Sequence, residues 1–496
     1  MINEAESKPD VDSATRSIGR VAGKGLRWSL LGSVSNRLGS LLLGIALARL
    51  LTPADFGLYA IALSAMYFVM HVNDVGLIAA TVQWRGRLAE IAPTATTLAL
   101  VFSVLVYGVF WVVAPSFAGL AGSPAATPIV RLLTTVILID GLTAVRAASL
   151  MRSFRQAQIT VANFCGLLVN AAVAISLALN GAGAFSFAGG QVAGAVVTGG
   201  WVLWSAKLPW RLGFDRAITR KLMRFGLPLA LSLGVEAVLL NVDYVIVGRV
   251  LGTVALGFYL LAFNVSSWAP GVISTAIRWV SVPSFSRLSE DDDSLSPGVR
   301  RSMALLITSV LPIGILLVVL APSLIEFLYG ERWASAAPVL RFLVVLGIVR
   351  MITMLTVDIL TGAGATRVAL WLNLGWAVAL VPALLVGTRL DNIRGAAIAH
   401  AIVAVLVALP LALMALRRVG VRLRPIPATA LRPLLAGVLS AVVCVLVADV
   451  TSESPFLQLA AAGSAGLLTY VLVAVPAGQL RRWGGQTAEL IPARSR

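Results

Sequence analysis

The amino-acid sequence predicts an all-α polytopic membrane protein of about fourteen transmembrane helices. They form two six-helix lobes in a parallel pseudo-twofold repeat, followed by two C-terminal helices. Three observations carry this expectation. Of 496 residues, 58% are hydrophobic and only 12% charged, with a mean hydropathy of +0.92, outside the range of soluble domains. The apolar residues fall into runs of roughly 17 to 25, the length needed to cross about 30 Å of hydrocarbon at 1.5 Å per residue. Finally, the stretch around Arg49 recurs around Arg249.

A polar segment, residues 1–25, precedes the first run. The N-terminal lobe (26–206) holds runs near Leu26–Leu51, Phe56–Val82, Thr94–Ala114, Pro128–Leu150, Thr160–Asn180 and Ala184–Ala206. A basic linker, 207–224, leads to the second lobe (225–416). Its runs lie near Phe225–Val250, Ala255–Val282, Met303–Ala321, Ala336–Leu360, Val368–Val386 and Gly395–Ala415. A basic loop, 417–432, precedes the last pair (433–478), with crossings at Pro433–Ala448 and Leu457–Val475 separated by a Ser/Glu turn, and a tail, 479–496.

Charge sets the orientation. With a cytoplasmic N-terminus, 29 of the 39 Lys and Arg fall on inner segments, five on outer loops and five within spans. Both termini are then cytoplasmic, in a multi-pass protein of the cytoplasmic membrane. The net charge of +17 is scattered over loops, which suits anionic headgroups and argues against nucleic acid. Residues 1–24 lack a signal-peptide pattern. Cys165 and Cys444, each inside an apolar run, are expected to pack rather than form a disulfide framework or metal site.

An offset of 200 keeps Arg49/Arg249, Leu51/Leu251, Gly57/Gly257, Tyr59/Tyr259 and Ala62/Ala262 in register. Pro128-Ile129-Val130-Arg131 is echoed by Pro338-Val339-Leu340-Arg341, and Gly183-Ala184 by Gly395-Ala396. Six spans per lobe, an even number, make the repeat parallel rather than inverted.

The turns themselves extend the argument to family. Ala48-Arg49-Leu50-Leu51-Thr52-Pro53 with Phe56-Gly57, Asp74-Val75-Gly76-Leu77 and Asn241-Val242-Asp243-Tyr244 through Arg249 stand in order along the chain. So do Leu256-Gly257-Phe258-Tyr259, Val282-Pro283-Ser284-Phe285 and Leu328-Tyr329-Gly330-Glu331-Arg332-Trp333. Together they resemble the Wzx-like oligosaccharide flippases of the multidrug/oligosaccharidyl-lipid/polysaccharide exporter superfamily. The resemblance covers nearly the whole chain and weakens in the last two spans. It implies translocation of a polyprenyl-pyrophosphate-linked oligosaccharide from inner to outer leaflet for surface polysaccharide assembly. Partners would be that glycolipid, membrane lipids and a polysaccharide polymerase machinery.

Candidate site residues are the ionisable and amide groups at membrane depth, which are costly there unless they face a cavity or a partner. Arg37 lies ten residues beyond Arg27 and twelve before Arg49, about 15 Å from either end and too far to snorkel. Its guanidinium is expected to hold a diphosphate through a bidentate fork, with Asn36, Arg278, Arg350, Asn264 and Asn373 as cavity company. The alternative is neutralisation by Glu236, which the repeat offset places at matching depth. Asp243 lies two turns beyond Glu236 on the same side of span seven. Glu236, Asp243, Asp74 and Asp358 are coupling or gating candidates that leave proton or sodium coupling open, with a local structural bond as the other role for Asp243. His71 and His400 are expected to pack. Trp111, Trp201, Trp204 and Trp333 read as interfacial belts.

Other chemistries lack material. No Gly-rich phosphate loop ends in Gly-Lys-Ser/Thr, Asp291-Asp292-Asp293 reads as a solvated charge run, and no cofactor or enzymatic role is expected. A drug/cation antiporter of the same superfamily is the alternative. A polymerase or ligase would need a large outer loop, and the longest expected, Pro322–Ser335, is about fourteen residues.

Overall fold

The computed structural model describes residues 11–73, 88–153, 155–206, 208, 211–288, 295–362, 365–421 and 426–474. Among these residues the regular elements are helices, with no strand. They run α1 (Val11–Leu50), α2 (Pro53–Asn73), α3 (Leu88–Leu120), α4 (Thr127–Thr134), α5 (Val136–Arg152), α6 (Gln156–Leu179), α7 (Phe185–Ser205) and α8 (Arg216–Leu288). There follow α9 (Leu295–Val319), α10 (Ala321–Tyr329), α11 (Ala336–Gly362), α12 (Thr366–Val403), α13 (Leu409–Arg418), α14 (Ile426–Val450) and α15 (Pro455–Ala474). Ten helical segments among the described residues are long and apolar enough to cross a membrane. Three further expected crossings, near 26–51, 184–206 and 225–250, fall on helical residues of α1, α7 and α8, and the 52-residue stretch Arg367–Arg418, one of the ten, covers two expected crossings. Two helices meet inside α8 at Gly252 and inside α12 at Asp391–Asn392.

By packing, the chain divides into two units: Met1–Leu51 with Ile61–Asn241, and Thr52–Ala60 with Val242–Arg496. In the first, α6 lies along both α7 and α1, and α3 packs on α5. Arg155 donates to the Ser205 carbonyl (3.0 Å) and Trp201 to Gln158 (3.0 Å), fixing one end of the α6–α7 pair. The basic linker becomes the capped start of α8, where Asp215 accepts from the backbone N–H of Ala217 and Ile218. Leu222 packs among Ala92, Ala95 and Val145 while Arg216, Arg220, Lys221 and Arg224 stay exposed, as an amphipathic helix requires.

In the second unit, Val299, Met303, Leu306 and Val310 of α9 meet Met351, Leu355 and Ile359 of α11. The C-terminal pair attaches here: Ser440 donates to the Gly466 carbonyl (2.7 Å), and Tyr470 to the Thr308 carbonyl of α9 (3.0 Å). Residues 322–335, expected as an outer loop, instead form α10 and a 3-10 turn, Glu331–Trp333. Trp333 is a correction as well. It is fully buried, edge-on to Phe56 at 4.7 Å and to Phe258 at 5.8 Å, so it is a core residue rather than an interfacial one.

The repeated turn is built twice by different means. Thr52 caps α2: its N–H (2.9 Å) and hydroxyl (2.6 Å) donate to the Asp55 carboxylate, and Pro53 takes the first helical position, where a missing N–H costs nothing. At the matching position, Gly252 supplies the bend through φ 82°. The two turns then pack on each other. A Cβ on Gly57 would run into the Thr253 carbonyl, and one on Gly257 into the Pro53 carbonyl. Since 53 and 253, and 57 and 257, differ by 200, this contact is twofold about itself.

Substituting Gly57→Ala or Gly257→Ala is therefore expected to cost about 1–3 kcal/mol through overpacking against backbone. Gly44→Ala, whose methyl would meet open space within α1, is expected to be neutral or to stabilise by up to about 1 kcal/mol. Thermal unfolding of the purified protein in detergent checks the contrast.

Candidate functional site

Two polar places lie inside the apolar helices, one in each unit. In the first unit, a cavity of about 370 Å³ opens among α1, α6, α7 and the start of α5. Its polar lining is Asn36, Ser40, Asn163, Asn170, Gln191 and Thr198. Helical periodicity explains the convergence: 36/40, 163/170 and 191/198 are spaced four or seven residues apart, so each helix turns one polar stripe to the same space. Small residues make the room. Gly166 and Gly194 also line the cavity, and a Cβ on Gly166 would strike the Thr198 hydroxyl while one on Gly194 would approach the Gly166 carbonyl at 2.7 Å. Thr198 donates to the Ala162 carbonyl (3.3 Å), which leaves its lone pairs toward the cavity as acceptors. None of the lining residues is ionisable.

Asn36, expected at the site, is thus placed in this cavity. Arg37, the next residue of α1, is exposed. Its expected counter-charge Glu236, and Arg278, lie on helical backbone in α8 with side chains outside the described residues, and Asp74 lies outside them altogether.

The second place is a buried cluster in the second unit. Asp243, 1% exposed, accepts from the Tyr244 backbone N–H (3.0 Å) and from the Tyr259 hydroxyl (3.0 Å). Tyr259 is also 3.3 Å from Nδ1 of His400, which stands 4.0 Å from the Asp243 carboxylate. A hydroxyl carries one proton. With that proton on Asp243, the remaining bond runs from His400 Nδ1–H to the Tyr259 oxygen, assigning the tautomer. Arg350, half-buried on α11, lies within electrostatic reach of both Asp243 and His400. Asp243 is thus held in a local hydrogen-bonded cluster, and His400, expected to pack, is a member of it. Asp358 and Asn373 are half-buried on α11 and α12, and Asn264 is exposed on α8.

Further polar contacts were not legible. In the first unit Ser103 donates to Asn73 (2.8 Å), which donates to Asp140 (3.3 Å), linking α3, α2 and α5. Arg146 is 2% exposed on α5. Arg131 stacks over Trp111 at 4.5 Å and donates to its carbonyl (3.2 Å).

The helix order and the length of the apolar helices define a polytopic all-helical membrane protein. Solved structures agree on the fold. The chain is similar to the lipid II flippase MurJ in an inward closed conformation, with a TM-score of 0.73 at 13% identity, covering 90% of this chain and 98% of that one. It is also similar to a multidrug resistance MATE family transporter of the MOP superfamily in an inward-facing conformation, with a TM-score of 0.63 at 16% identity, over 79% and 98% of the two chains. The profile of the family described as polysaccharide biosynthesis protein matches residues 46–338, and the chain belongs to that family. Among curated relatives, the succinoglycan biosynthesis transport protein ExoT of Rhizobium meliloti (strain 1021) is 25% identical over 341 residues, 69% of each chain. The lipopolysaccharide biosynthesis protein WzxC of Escherichia coli (strain K12) is 23% identical over 195 residues, 39% of this chain and 40% of its own. The resemblance to Wzx-like flippases read from the turns stands.

Tyr259→Phe, which removes the bridge between Asp243 and His400, is expected to cost about 1–3 kcal/mol by leaving a buried acceptor on Asp243 and a buried donor on His400 short of a partner. Arg37→Ala, at an exposed position, is expected to change stability by less than about 0.5 kcal/mol. Unfolding midpoints of the two purified variants measure both.

Proposed function

We propose that this protein is a flippase that moves a polyprenyl-pyrophosphate-linked oligosaccharide from the inner to the outer leaflet of the cytoplasmic membrane, for surface polysaccharide synthesis. The observation that carries the reading is the pair Asn36–Arg37. At mid-span of an apolar helix, in a chain of the polysaccharide biosynthesis family, one residue lines a polar cavity and the next presents an exposed guanidinium.

The chemistry follows from the residue types. Arg37 engages the pyrophosphate through paired N–H donors, a geometry that lysine lacks. Arg350, Arg278, Asn264 and Asn373 extend the polar path, and alternating access of the two lobes exposes it to one leaflet at a time. Asp243 is the coupling candidate best supported by its surroundings, since a carboxylate, a phenol and an imidazole share one buried network beside Arg350. Glu236, Asp74 and Asp358 complete the gating set. Both termini are cytoplasmic, and a polymerase machinery would receive the exported glycan.

A drug/cation antiporter is the second reading, favoured by the likeness to the MATE transporter fold. Against it, the cavity of the first unit carries no acidic group to attract a cation.

In cells deleted for the native gene, Arg37→Ala is expected to lower surface polysaccharide at least tenfold at normal protein level, with Arg37→Lys restoring only part. Full export by both variants removes the pyrophosphate role. Unchanged polysaccharide in the deletion itself, together with altered drug sensitivity, selects the antiporter.

A further inference from the structure

We infer that the cavity among α1, α6 and α7 is a binding site for a neutral sugar ring of the cargo, separate from the group that holds its pyrophosphate. The inference deepens the flippase reading and rests on it.

The argument starts from cost. An amide in hydrocarbon has to find hydrogen-bond partners, and six polar side chains gathered at membrane depth outnumber what helix packing needs. α6 and α7 are already held by the Arg155, Trp201 and Ser205 contacts at their shared end and by close approach at Gly166 and Gly194. Asn36, Ser40 and Asn163 instead remain exposed to the cavity.

The residue types then select the ligand. Each Asn or Gln amide presents donor and acceptor side by side, which matches vicinal hydroxyls that both donate and accept. Ser40 adds a hydroxyl of the same dual character, and Thr198, whose proton is held by the Ala162 carbonyl, adds an acceptor. The lining has no carboxylate to neutralise a cation, no guanidinium or ammonium to hold a phosphate or uronate, and no aromatic face to stack a planar drug. At about 370 Å³ the space is near the lower bound for ligand pockets of about 300 Å³, suited to a single ring rather than a chain of them. Arg37 belongs to the same helix but not to this lining, so charge and sugar are recognised by adjacent residues of α1.

The test uses the full-length protein in a detergent without a sugar headgroup, titrated with glucose, galactose or mannose and followed by the saturable rise in unfolding temperature. Glucuronate, inorganic pyrophosphate and tetraphenylphosphonium are the contrasting probes. Saturable stabilisation by at least one neutral sugar, weakened tenfold or more in Asn163→Leu and Thr198→Val but unchanged in Arg37→Ala, is the expected result. Asn163 is exposed, so its variant keeps the helix packing, and its midpoint without sugar verifies that. No saturable effect of any neutral sugar, an effect indifferent to both cavity variants, or equal stabilisation by the charged probes overturns the assignment. Reconstitution into liposomes with a polyprenyl-pyrophosphate-linked glycan separates the two claims. If the wild type fails to translocate it while sugar binding behaves as expected, the flippase reading falls and the sugar site stands. If translocation proceeds and the cavity variants bind sugar normally, the reverse holds.

Discussion

Two glycines resting on each other's turns are the constraint on which the middle of this fold depends. Gly57 sits against the carbonyl of Thr253, and Gly257 against that of Pro53. Backbone meets backbone with no side chain between, so neither turn can shift without the other. Around that contact Phe56 and Phe258 both close on Trp333, adding aromatic burial from three separate parts of the sequence. The segment Thr52–Ala60 consequently packs within the second unit although it stands far earlier in the chain.

The repeat preserves this arrangement while changing its chemistry. In the first copy a Thr-Pro-Ala-Asp capping box opens the helix; in the second a glycine at positive φ turns the chain. The closely approaching residues, Gly57 and Gly257, are the same in both. What the duplication keeps is the absence of a side chain at one point of approach, and the means of bending the backbone beside it is free to differ. In the second copy, Tyr259 bridges Asp243 and His400.

Much of the fold was legible because hydrocarbon enforces a simple code of length and polarity. The apolar runs, the linker's amphipathic start and the repeat of the turns all follow from it. The site was legible only in part. Charge at membrane depth drew attention to Arg37, and amide neighbours such as Asn163, Asn170 and Gln191 were passed over because each alone is unremarkable among apolar residues. Their spacing of seven, with small residues between, was the available signal. Trp333 misled because an aromatic near a span end usually marks an interface, whereas here α10 folds over it. His400 and Arg146 needed tertiary structure: nothing local distinguishes a packed histidine from one bonded to a tyrosine 141 residues earlier.

The burial of Trp333 also orders events in time. The tip of the first hairpin, around Phe56, rests on residues 253–257, synthesised about 200 positions later, and on Trp333, synthesised 277 positions later. At synthesis rates of roughly 5–20 residues per second, that delay is on the order of 15 to 55 s. Throughout it Phe56 stands without Trp333, and for most of it Gly57 stands without Thr253. The first helices to be inserted are thus among the last to be finished, and whatever shields Phe56 in the interval shares responsibility for the yield of folded protein.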